Sequence, residues 1–181
     1  MPNFSFYDQD SVLVTNKDYL GKVYVVDFFF TTCPTICPVM TKNLVELQDA
    51  FKNDKNFGVA SFTINPRYDT PSVLTKYAEK YGITDKDWHL MTGDQDKIYQ
   101  LAQEGFYIFA SEDQAAPGGF EHSGMFALVD KNGYIRSRED EFGNPLIYYR
   151  GTITEEQEVN ADGETQQITI LKEDIKKLLA E

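Results

Sequence analysis

Basic residues are scarce in this chain. Lys and Arg number 17 against 29 Asp and Glu, giving a formal net charge of −12. That balance argues against binding DNA or RNA, since phosphate contacts need a basic face. It leaves a well-solvated surface and an attraction for basic partners. Long apolar runs are missing too. None reaches the ~18 residues that a bilayer-spanning helix needs. The first residues, "MPNFSFYDQD", lack the basic and apolar regions of a secretion signal. The chain is therefore expected to be cytosolic, or to start after a removed signal or anchor. Cysteine is rare, with 2 in 181 residues, so a disulfide scaffold is excluded. Histidine is equally rare, at 2. Repeats, low-complexity tracts and linkers are absent, so residues 1–181 are expected to form one domain.

What remains is ordinary globular composition, with 41% hydrophobic and 25% charged residues. With 13 Phe and 11 Tyr, the core is expected to be aromatic. "GKVYVVDFFF" is an apolar run broken only by Asp27 and predicts a strand covered on both faces. Met40, Leu44, Leu47 and Phe51 then recur at helical spacing. A second strand is read at "FGVASFTI". After "NPRYDTP" a helix is expected from Pro71, N-capped by Thr70 and stopped by Gly82. "WHLMTG" reads as a third strand, and Asp94 as the cap of a helix bearing Ile98, Leu101 and Ala102. "MFALVD" and "YIRSRE" read as antiparallel strands joined at "KNG". "TITEEQEVNADGETQQITI" reads as a polar surface hairpin or mobile insert, and "LKEDIKKLLAE" as a closing helix. The pattern is an α/β chain with a central mixed sheet flanked by helices.

Both cysteines lie in "FFFTTCPTICPVM", at the junction of the first strand and helix. Each precedes a proline, which disfavours helical geometry and predicts an extended or turned loop over 33–37. The helix is then expected from Pro38, with Cys37 at its N-cap, where the dipole favours a thiolate. Thiolates serve disulfide exchange and metal binding alike, so this stretch alone leaves both open. His89 reads as a hydrogen-bonded structural residue. His122, in "PGGFEHSGMFALVD", lies in a glycine-rich loop at a strand entry and can present an imidazole to that helix start. Asp27 reads as a buried acid hydrogen-bonded within the core. Facing the dithiol, it would favour thiol–disulfide chemistry.

"GKVYVVDFFFTTCPTICPVM", "NPRYDTPSVLTKYAEKYG", "WHLMTGD" and "EHSGMFALVDKNG", in that order, resemble the SCO/SenC family of copper-binding cytochrome c oxidase assembly factors. The resemblance covers Pro2 to Tyr134 and the C-terminal helix. It implies a thioredoxin-like fold with inserted elements. It implies that Cys33, Cys37 and His122 bind one copper ion, as Cu(I) or Cu(II). It also implies a soluble ectodomain at the periplasmic, outer face of the bacterial inner membrane, held by an N-terminal anchor. The implied role is that of a metallochaperone rather than an enzyme. Its partner would be a copper-accepting oxidase subunit or another copper chaperone. The donor chemistry agrees, since soft thiolates favour Cu(I) and an added imidazole tolerates Cu(II). A structural zinc usually takes a fourth protein ligand, and the sequence offers no convincing candidate. Two departures stand out. Asn65 replaces the family's Asp in "NPRYDT", and Glu121 replaces the Asp before the histidine.

The competing reading is a thiol–disulfide oxidoreductase that reduces partner cysteines through Cys33 and Cys37. Against it, thioredoxin-type reductases place two residues between their cysteines and a cis-proline opposite; here three residues intervene, and "EHSG" stands where that proline would be sought. A peroxiredoxin-like peroxidase would need an Arg close to Cys33. None lies within thirty residues in sequence, leaving Arg67 or Arg136 as distant candidates.

Overall fold

The computed structural model describes residues 2–181 and opens with a hairpin that the sequence pattern does not announce. β1 (Ser5–Tyr7) pairs antiparallel with β2 (Leu13–Thr15). Its inner side is aromatic. Phe4 and Phe6 meet the Phe62 ring edge-on, at centroid distances of 5.1 and 5.8 Å.

β3 (Val23–Phe29) is buried at every position, as a strand covered on both faces must be. α1 (Cys37–Phe51) buries Met40, Leu44, Leu47 and Phe51, the face read from their spacing. β4 (Phe57–Thr63) is again buried throughout. α2 (Pro71–Tyr81) starts after Thr70 and ends at Gly82, whose φ of 71° is the left-handed geometry that closes helices. β5 (Trp88–Met91) follows, then α3 (Gln95–Gln100), where the Asp94 side chain accepts from the Lys97 N–H.

The second half has more short strands than its sequence suggests. β6 (Ala110–Glu112) and β7 (Phe120–His122) make a separate antiparallel hairpin. β8 (Met125–Val129) turns through "KNG" into β9 (Ile135–Arg136). The return strand is shorter than expected. After Ser137 the chain leaves the main sheet, and β10 (Arg138–Glu139) pairs with β11 (Pro145–Leu146). β12 (Tyr148–Arg150) rejoins the main sheet beside β8. α4 (Ile168–Ala180) begins before the expected Leu171, because Ile168 is fully buried and belongs to the helix's inner face.

The main sheet runs β12-β8-β3-β4-β5, with β9 attached to β8. β3, β4 and β5 are parallel, while β8 and β12 run antiparallel to their neighbours. This is the central mixed sheet with flanking helices read from the sequence. The polar stretch after β12 is only partly a surface insert. Val159 bridges Thr165 around the "NADG" turn, but Ile153 is fully buried.

Candidate metal centre

β3 is hydrogen-bonded on one side to β4 and on the other to β8, so its carboxyl end is a fixed point. The chain leaves it at Phe30 and turns through Thr31 and Thr32 to Cys33. Asp69 holds this turn. Fully buried, it accepts from the Thr31 N–H at 3.1 Å, from the Thr31 hydroxyl, and from the Thr63 hydroxyl at 2.5 Å. One carboxylate thereby ties the cysteine loop to the end of the neighbouring strand. Asp69 lies in "NPRYDT", a stretch noted for its resemblance. No local pattern marks its side chain as the one that reaches the loop.

Cys37 is the first helical residue of α1, and Ile36, not Cys37, is its N-cap. Proline is tolerated in the first turn, where its missing N–H has no intrahelical partner to lose. The helix therefore starts one residue earlier than expected, with Pro38 in its second position. The thiolate also falls on the other cysteine. The Cys37 N–H points at Cys33 Sγ, 3.5 Å away. A hydrogen bond from the Cys37 side chain, with further donors at His122, Cys37 and Thr35, outweighs the opposing effect of burial and holds the Cys33 thiol down at about 3. Burial pushes the Cys37 thiol up, and its hydrogen bond to Cys33 keeps the proton on it. The metal-free pair is thus one thiolate and one thiol.

His122 ends β7 and is paired with Ala110 of β6, so it sits on a hairpin rather than in a free loop. Its Nε2 lies 3.2 Å from Cys37 Sγ and 4.0 Å from Cys33 Sγ. Aromatic rings seat it. Phe30 meets the imidazole edge-on at 5.7 Å and packs against Phe120 at 5.1 Å. Two glycines let the hairpin close on the cysteine loop. At Gly118 (φ 78°) a Cβ would fall 2.8 Å from Phe30 Cε2 and 3.1 Å from Pro34 Cδ. At Gly124 (φ 69°) it would fall 2.5 Å from Thr152 Cγ2. A cavity of about 350 Å³ opens beside Cys33 and His122, rimmed by Thr35, Asp113, Phe120 and Glu121.

The ligand atoms of Cys33, Cys37 and His122 all lie within 4.8 Å of one another, and no fourth His, Cys, Asp or Glu joins them among the described residues. A trigonal ion with bonds of ~2.3 Å to sulfur and ~2.0 Å to nitrogen sets its donors about 4 Å apart, so this set fits one ion.

The other candidates lie elsewhere. His89 on β5 bonds through Nδ1 to Asp8 Oδ2 at 2.8 Å, the structural role expected of it. Arg67 pairs with Glu112, and Arg136 with Asp130 and Glu181; neither lines the cavity. Asp27 is buried in β3 and accepts from Ser61 Oγ at 2.5 Å, while Ser61 accepts from Trp88 Nε1 at 3.0 Å. Burial raises the Asp27 carboxyl to about 7, and any negative charge on it opposes a thiolate at Cys37.

The family model for SCO1/SenC matches residues 1–149. The SCO1 protein homolog of Bacillus subtilis is 33% identical over 138 residues, covering 73% of this chain and 69% of that protein. The crystal structure of a SCO1/SenC family lipoprotein from Bacillus anthracis superposes with a TM-score of 0.80 at 28% identity, covering 100% of this chain and 95% of that one. BsSco, described as a member of the Sco family of cytochrome c oxidase assembly proteins with a disulfide switch, superposes at 0.76 with 26% identity, covering 98% and 92%.

Proposed function

The chain belongs to the SCO1/SenC family, and from that premise we propose that it carries one copper ion on Cys33, Cys37 and His122 and helps assemble the copper site of a respiratory cytochrome c oxidase. The observation that carries this reading is the convergence of two sulfurs and one imidazole nitrogen at the buried end of β3. Copper suits the set better than zinc. Two soft sulfurs favour Cu(I), the imidazole accommodates Cu(II), and no fourth donor completes a tetrahedron among the described residues. The Cys33 thiolate is already deprotonated, so loading an ion displaces only the proton on Cys37. Copper here is cargo, taken up and passed to an oxidase subunit or another chaperone. No helix among the described residues is long and apolar enough to cross a membrane. The protein's place in this reading is the periplasmic, outer face of the bacterial inner membrane. In this reading residues 1–181 act as one unit, which the single hydrophobic cluster among the described residues supports.

The test is an anaerobic titration of the reduced protein. One equivalent of Cu(II) is expected to give thiolate-to-copper charge-transfer absorption. His122→Ala is expected to weaken or abolish it. An unchanged spectrum in His122→Ala would overturn the three-donor site.

The asymmetry of the cysteines supports a second reading on the same atoms. A thiolate at Cys33 beside a protonated Cys37 is the arrangement for attack on a partner's disulfide. Cys37 would then displace the mixed disulfide, leaving Cys33–Cys37 oxidised and the partner's two thiols reduced. A Cys33–Cys37 reduction potential above that of the partner's disulfide would overturn this reading, because electrons would then flow from the partner to the pair.

A further inference from the structure

Asn43 is fully buried in α1, six residues beyond Cys37. Its Nδ2 donates to two backbone carbonyls, Gly151 at 2.9 Å and Ile153 at 3.1 Å. Its Oδ1 has no partner among the described residues. Burying an unpaired acceptor is unfavourable, and an apolar side chain would avoid it. An apolar side chain would also orphan two carbonyls in a segment that has left the sheet. The amide at position 43 is explained by its donors, and those donors act on residues 151 and 153.

The segment they hold touches the other half of the site. The Gly151 N–H donates to Gly124 O at 2.9 Å, two residues beyond His122. Gly124 is wedged between that segment and the cysteine loop. A Cβ there would meet Thr152 Cγ2 at 2.5 Å and Ile36 Cδ1 at 3.2 Å, and Ile36 directly precedes Cys37. Gly151 has no room for a side chain either, since a Cβ would sit 2.6 Å from the Phe126 ring. Further along, Glu156 pairs with Lys42 of α1, and Glu155 bonds Lys172 of α4.

We infer that residues 151–153 form a strap, held by Asn43, that sets His122 against Cys37. Asn43 is a positioning residue. It touches no donor atom, but it fixes the distance between the helix that carries one sulfur and the hairpin that carries the nitrogen. The inference rests on the three-donor reading of the site, and it predicts a coupling that simple destabilisation does not produce.

The probe is cupric ion, titrated into the whole reduced chain. Asn43→Ala is expected to weaken Cu(II) binding about tenfold, the scale on which groups that orient ligands act. In a His122→Ala background the same substitution is expected to cost nothing further, because its effect runs through the imidazole. Additive losses overturn the strap, as does unchanged affinity in the single variant. A metal-free measurement runs beside it. In Asn43→Ala the Gly151 amide is expected to exchange faster, and the through-space magnetic resonance signal between the His122 ring and Cys37 to weaken. The β3 and β4 amides are expected to keep their protection. An unchanged His122–Cys37 signal overturns the inference. Should Asn43→Ala not fold, Thr152→Ser takes its place. It removes only the methyl against Gly124 and orphans no polar group. A smaller affinity loss that vanishes in His122→Ala supports the strap; equal losses in both backgrounds overturn it. If the unaltered chain does not bind cupric ion, the copper reading fails, and the metal-free signals still decide the strap.

Discussion

Cys33 and Cys37 stand at the end of a strand hydrogen-bonded on both sides, whereas His122 stands at the end of a three-residue strand paired on one side only. Moving either sulfur means disturbing Asp69, α1 and the centre of the sheet. Moving the imidazole means opening a short hairpin and parting it from the Phe30 ring. The site therefore has a stiff half and a compliant half. A carrier needs that division, because an ion held by three rigid donors is slow to leave, and one held by three loose donors is never well defined.

The comparison breaks most directly at the stiff half. Cys33→Ser is expected to abolish copper binding in both oxidation states. His122→Ala is expected to weaken Cu(II) binding strongly while leaving Cu(I) on two sulfurs nearly unaffected. Anaerobic titrations with each ion separate the two, and equal losses would erase the distinction between the halves. Next comes Asp69→Ala. It leaves the Thr31 N–H and two hydroxyls without their buried acceptor. We expect it to cost about 3 kcal/mol in urea unfolding and to loosen the cysteine loop.

The pH response sharpens the picture within the stiff half. The Cys33 thiol is held near 3 against an ordinary value of 9.0. Between those values the unfolded chain binds more protons, so this group's stabilisation is present above pH 9 and lost as pH falls toward 3. Asp27 works in the opposite sense. Its carboxyl is raised from 3.8 to about 7, so its contribution is present below 3.8 and lost as pH rises through 7. Denaturant curves of the metal-free chain across pH are expected to show both slopes. Cys33→Ser removes the rising one, and Asp27→Asn the falling one. Alkylation is expected at Cys33 at a rate nearly flat over about pH 5 to 8, with Cys37 nearly inert. The smallest effect belongs to the strap's outer tether. The exposed Lys42–Glu156 pair, at 3.8 Å, is expected to contribute under ~0.5 kcal/mol, so Lys42→Ala leaves thermal unfolding almost unchanged.

The same division governs what could be read from sequence. β3, α1, β4 and α2 are long, locally patterned and bounded by proline or glycine, and the structure has them nearly where the pattern does. Both cysteines lie at one strand–helix junction with three residues between them, so their closeness is a local fact. His122 is 85 residues from Cys37; its glycine-rich loop made it a candidate, and the resemblance to a family motif, rather than periodicity, joined it to the cysteines. β6, β7 and β12 have three residues each, too few for an alternation to register. Asp69 and Asn43 escaped notice for a different reason. A lone Asp before a helix reads as solvated or capping, and a lone Asn within a helix as exposed. Only the fold turns them inward, onto Thr31 and onto Gly151. Helix start and thiolate location were misjudged together, because the Cys37 N–H serves the sulfur of Cys33 instead of its own.

The chain has a single tryptophan, and its indole N–H ends a hydrogen-bonded relay through the Ser61 hydroxyl to the Asp27 carboxyl. Asp27 changes charge near neutrality and acts electrically on Cys37. Indole emission responds to a nearby charge. The molecule thus contains its own optical sensor, and the colour and yield of Trp88 fluorescence should follow, without any label, the protonation of the acid whose charge acts on the second cysteine.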